Sequence, residues 1–150
     1  MSEVSTVYDA MITRIGAVLT GHLRLSNPYK IEENSATLLR VGYGVGIGPA
    51  TNTRRPMSGC ASIQRTFIVS ISRRYAALDS SGSAKATTEK QIMDDMFLLI
   101  KDFSENTSLT NGNRVVGFDS DNGINYVETE SDRFMYTTAN FSIEYFENLT

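Results

Sequence analysis

The segment 87–103, TTEKQIMDDMFLLIKDF, limits what this chain can fold into more than any other. Thr88 followed three residues later by Gln91 reads as a capping box, in which a hydroxyl and an amide satisfy the first free backbone N–H groups. Behind it Ile92, Met93, Met96, Phe97, Leu99, Ile100 and Phe103 recur at helical spacing and form one broad apolar stripe. Lys90, Gln91, Asp94, Asp95, Lys101 and Asp102 take the opposite side. Leu98 is the one large apolar residue among them. A stripe this wide needs a sheet to cover it, and Met96 and Phe97 are expected at the helix–sheet contact.

Strand-like segments stand on both flanks. From position 38 the period changes to two, with Leu39, Val41, Tyr43, Val45 and Ile47 on one face and Arg40, Gly42, Gly44, Gly46 and Gly48 on the other. A nearly bare strand face implies that something approaches it closely, or that the strand bends. The glycines do not make a phosphate loop, because Ile47 and Pro49 stand where G-x-G-x-x-G needs glycine and no Gly-Lys-Ser/Thr follows. Residues 49–62 read as a turn-rich loop centred on Arg54 and Arg55, and 64–75 return to strand, completing a long hairpin. Phe67, Val69, Ile71 and Tyr75 share one face of that second strand.

Ahead of the hairpin, residues 5–20 form an amphipathic helix striped by Val7, Tyr8, Met11, Ile12, Ile15, Val18 and Leu19, with Gly21 placed for a left-handed cap. Residues 22–25 add a short extended piece before Pro28 breaks the chain. Residues 79–86 read as a flexible lead into the central helix. Residues 114–118 and 124–127 read as a short hairpin about DSDNG. Residues 133–146 form a long last strand with Thr137, Ala139, Phe141, Ile143 and Tyr145 on one side. The expected fold is α+β: one domain over residues 1–150, a mostly antiparallel sheet with long hairpin strands, and two helices packed on one face.

The single cysteine, Cys60, permits no internal disulfide, and the N-terminus lacks a basic region ahead of an apolar core. No apolar run reaches the roughly 20 residues a membrane-spanning helix needs. A net charge of −3 gives no general attraction to nucleic acid or anionic membrane. His22, the only histidine, excludes His-based triads and multi-His metal sites and reads as a capping or packing residue. Asp119, Asp121, Glu128 and Glu130 have the span of an EF-hand loop, but Ile124 replaces its sixth-position glycine, so a solvated turn is expected. Asp94 and Asp95 diverge around their helix and cannot share acid–base work on one substrate. No cofactor, metal or catalytic site is expected.

The segments TFIVSISRRYAALDSSGSAKATTEKQIMDDMFLLIKDF and RFMYTTANFSIEYFENL, in the order strand, linker, sheet-packing helix and closing amphipathic strand, resemble the tail terminator (tail completion) proteins of long-tailed bacteriophages. The resemblance covers most of residues 5–147 and is one of pattern; the series Gly42–Gly48 lies outside it. It implies a structural virion protein made in the host cytoplasm. Such a protein forms a homo-oligomeric ring, usually a hexamer, on the head-proximal end of the tail tube. The ring ends tube polymerisation and gives the neck protein a docking surface, while DNA passes through its channel without specific binding. Residues of opposite sign suited to head-to-tail contacts are Arg54, Arg55, Arg73 and Arg74 against Asp94, Asp95 and Asp102, with Leu98 beside them. The alternatives are another neck component, such as a head-closure or adaptor ring, or a small ligand-binding or metal-dependent domain using the segment 119–130.

Overall fold

Alternate residues of three long strands carry the core, and both long helices press on them from the same side. The computed structural model describes residues 2–54, 59–75, 82–128 and 132–148. The elements are α1 (Glu3–Val18), β1 (Leu23–Arg24), a 3-10 turn (Ile31–Glu33), α2 (Ala36–Leu39), β2 (Val41–Arg54), β3 (Cys60–Tyr75), α3 (Ser83–Glu105), a second 3-10 turn (Thr110–Gly112), β4 (Arg114–Glu128) and β5 (Arg133–Asn148). The strands form one sheet in the order β1-β2-β3-β5-β4, antiparallel except where β1 runs parallel to β2. The fold is α+β, with the long hairpin expected.

Tyr43 and Val45 of β2, Phe67, Val69 and Ile71 of β3, and Ala139, Phe141, Ile143 and Tyr145 of β5 form a single buried cluster. Val7, Met11 and Ile15 of α1 join it, with Ile92, Met96, Leu99 and Phe103 of α3. Burying each of these large side chains contributes roughly 1.5–3 kcal/mol. Gly21 takes a left-handed φ of 88° as expected, but α1 ends earlier, at Val18 with Leu19 as its cap, so the glycine serves the turn after the helix rather than its cap.

The opposite face is covered at one end by residues 25–39, which is more cover than two helices on one face would provide. Leu25, Ile31, Leu39 and Phe134 make a second small core there. The glycine face of β2 is what lets this segment lie flat. A Cβ on Gly42 would stand 2.8 Å from both Leu25 Cδ2 and Ser72 Oγ, and one on Gly46 2.8 Å from the Tyr29 ring. The Tyr29 hydroxyl accepts a 2.8 Å bond from the Ile47 amide. The buried Asn34 side chain ties the cover together, accepting from the Asn27 amide at 2.9 Å and donating to the Asn27 and Ile31 carbonyls at 2.9 and 3.0 Å. The close approach expected from the glycines is therefore made by the chain's own preceding segment.

Four local expectations are corrected. First, β2 continues to Arg54 and β3 starts at Cys60, with Thr53 opposite Ile63 and Arg54 opposite Ser62. The expected long loop is thus mostly ladder; residues 55–58, Arg55 among them, lie outside the described residues. Second, β4 is one continuous strand along β5 rather than a hairpin. The four residues from Asp121 to Ile124 face the three from Ala139 to Thr137, so the DSDNG glycine, Gly123 with φ 73°, serves a bulge instead of a turn. Third, α3 begins four residues before Thr87, and its N-cap is Gly82. Thr88 is inside the helix, where its hydroxyl donates to the Ala84 carbonyl at 3.0 Å, so the capping box does not form. Of the flexible lead, residues 83–86 are therefore helical, and 79–81 lie outside the described residues. Fourth, Phe97 is 62% exposed while Asp95 is buried, so only Met96 of the expected pair reaches the sheet.

Candidate interaction surface

The charged residues chosen for interfaces divide into those the fold uses internally and those it leaves outside. Arg73, opposite Val41 on the helix-facing side of β3, reaches up to α3. Its Nε and Nη2 donate to the two Asp95 carboxylate oxygens at 2.6 and 3.0 Å. His22, just before β1, places Nε2 3.3 Å from the same carboxylate, with its side chain almost wholly buried. Burial alone would raise the Asp95 carboxyl, but hydrogen bonds from His22 and Arg73, with the Arg73 charge, hold it below the ordinary carboxylate range. This triad fastens α3 to β3 and to the start of β1. Arg73 and Asp95 are corrected from interface residues to fold residues, and His22 packs as expected.

Asp102 is also engaged internally, accepting from Arg14 Nε at 2.7 Å, while the same guanidinium caps the Asp102 carbonyl at the end of α3. It stacks on Phe103 with its carbon 4.3 Å from the ring centre. Arg74 pairs with Asp132 at 3.1 Å. At the other end of α3, Lys85 lies 4.1 Å from the Tyr126 ring centre and Tyr126 donates to Glu89 at 2.8 Å. The Tyr75 hydroxyl, donating to Glu128 at 2.7 Å, is pushed up to about 12 by burial and by that carboxylate. Glu128 is thereby engaged, with Arg133 on its other oxygen at 3.3 Å. Of the suspected metal segment, Glu130 lies outside the described residues. Among the described residues no three His, Cys, Asp or Glu side chains gather as metal ligands would.

Two exposed surfaces among the described residues carry the remaining interface candidates Asp94, Leu98 and Arg54. One is the outer face of α3, where Asp94 is exposed beside Phe97, at 62%, and Leu98, at 47%. Leu98 sits where the sequence puts it. Phe97 was missed, because the stripe is so broad that period alone does not say which border turns inward. This face adjoins an apolar crevice of about 160 Å³ between α3 and β4, floored by Phe103, Phe118 and Phe141. The other surface is the far end of the hairpin. Residues 49–54 of β2 are exposed, and Arg54, Ser62 and Phe146 stand in one row across β2, β3 and β5. That row lies on the face away from the helices, and Phe146 is 45% exposed. Arg54 and Asp94 have no ion partner among the described residues.

No family model matches this chain, and no curated protein matches it as a relative. No helix among the described residues is long and apolar enough to cross a membrane.

Proposed function

We propose that this protein is a structural subunit that assembles head to tail into a ring on the end of a phage tail tube. There it ends tube growth and offers its outer surface to the neck protein. The observation that carries the reading is the mismatch in length between the sheet and its cover. β2, β3 and β5, of 14, 16 and 16 residues, run well past the glycine-covered end, and in this far arm the helix-free face is left uncovered at Arg54 and Phe146 while Ile143 and Tyr145 stay buried on the helix side. Strands more than twice the usual length need a use beyond one core, and reaching a neighbouring subunit is such a use. The exposed apolar pair on α3 supplies a second, different surface, as a heterologous contact requires. A net charge of −3 suits a channel through which DNA slides, since phosphate affinity comes from Lys and Arg.

Light scattering and negative-stain micrographs of the purified chain, alone and mixed with tail tubes, test this. The expected result is a closed ring, or discs seated on tube ends, with mean tube length reduced when the protein is present during polymerisation. A chain that stays monomeric at high concentration and leaves tube ends bare overturns the reading.

A further inference from the structure

The arm and the outer face of α3 are complementary to each other. In the arm, Arg54 and Phe146 share a row on the helix-free face, two strand spacings apart, roughly 10 Å. On α3, Asp94 and Phe97 are three residues apart and so lie on one side of the helix, exposed. Each surface thus carries an exposed aromatic ring and, beside it, a charge without an ion partner among the described residues, Asp94 on α3 and Arg54 on the arm, of opposite sign; Lys90, one turn before Asp94, is exposed as well. A sheet face and a helix face are also the two shapes that pack on each other within this fold.

Edge-to-edge pairing is the competing way to join two sheets, and the strand edges are built against it. β2 carries register shifts between Ile47 and Ala50 and between Ala50 and Asn52, next to Pro49. β4 carries three more, after Val115, Phe118 and Asp121. Bulges and proline break the regular row of donors and acceptors that strand addition needs. Contact through faces is what remains.

Resting on the ring reading above, we infer that the outer face of α3 in one copy docks on the helix-free face of the arm in the next copy, Phe97 against Phe146 and Asp94 against Arg54. Each α3 is then sandwiched between its own sheet and its neighbour's. Because the two surfaces differ, the contact is head to tail and repeats around the ring.

The test uses the full chain. Phe97→Ala is expected to raise the concentration for half-assembly about thirtyfold, the size of a buried aromatic hot spot, with the melting temperature of the dissociated subunit unchanged. Asp94→Arg is expected to weaken assembly at low salt, and adding Arg54→Asp in the same chain to restore it. Independently of folding losses, Cys60→Ser chains carrying Phe97→Cys are mixed with Cys60→Ser chains carrying Phe146→Cys. Oxidation is expected to give cross-linked dimers from the mixture in excess of either chain alone. A ring that forms normally with Phe97→Ala, shows no charge-swap rescue and gives no mixed cross-link overturns this docking mode and leaves the ring reading standing. A chain that never associates overturns both.

Discussion

The two halves of β2 are built to opposite rules. Its first half, Val41–Gly46, is enclosed on both sides: Tyr43 and Val45 sink into the main core, and Gly42, Gly44 and Gly46 lie directly beneath Leu25, Pro28 and Tyr29. Its second half, from Pro49 to Arg54, is exposed and bulged, and its side chains meet little but solvent and the adjacent strand. One continuous strand therefore passes from a region where every atom is constrained to one where few are. Conformational precision is concentrated at one end of the sheet, and accessible surface at the other.

Substitutions sharpen that contrast. Phe67, fully buried opposite Ile47 and Phe141, ends the enclosed zone, and Phe67→Ala is expected to lower unfolding free energy by about 3–5 kcal/mol in a urea titration. Asp95 anchors the enclosed end through Arg73, and Asp95→Asn is expected to cost about 1.5–3 kcal/mol at neutral pH. Its folded carboxyl is depressed, so this contribution is full above the unfolded value near ~3.9 and is lost as pH falls through the lower folded one. The gap between wild type and Asp95→Asn should accordingly close in acid and stay open toward neutrality. A gap that widened in acid would show that the carboxylate is not held by these donors.

Gly42→Ala is expected to cost about 1–3 kcal/mol, because the added methyl meets the Leu38 carbonyl and the Leu25 side chain at once. In the exposed half, Thr53→Ala and Arg54→Glu are expected to stay within ~0.5 kcal/mol, as is Phe97→Ala on α3 in the isolated chain. Equal losses at Gly42 and Thr53 would erase the distinction between the halves.

Much of this architecture can be read from period alone. The alternation in 133–146 picks out Thr137, Ala139, Phe141, Ile143 and Tyr145, all buried, but not Phe134, Met135 or Ser142, and the glycine series announces a close neighbour without identifying it. Identification fails where the deciding contact comes from far along the chain. Asp95 reads as a solvent residue because the arginine that draws it inward is 22 residues away, on β3. Once that carboxylate turns inward, Phe97, two positions on, must turn out. DSDNG likewise has the composition of a turn, but β5 offers a partner along its whole length, and the ladder makes of the same glycine a bulge. The candidate interaction surface was half legible for the same reason: Leu98, Asp94 and Arg54 are placed by local pattern, whereas Phe97 and Phe146 are exposed by long-range packing.

The strand order also has a consequence for how the chain comes to be folded during synthesis. β5 lies between β3 and β4, yet it is the last of the five strands to leave the ribosome. The β2–β3 hairpin can zip as soon as it emerges, but β4 has no neighbour until residues 133–148 are available, and α3 until then rests on only part of its floor. Closing the sheet requires contacts between distant residues, which places the chain among slow folders. The nascent chain thus spends its waiting time with the inner edge of β3 bare, the interval in which pairing with another unfinished copy is the hazard to avoid.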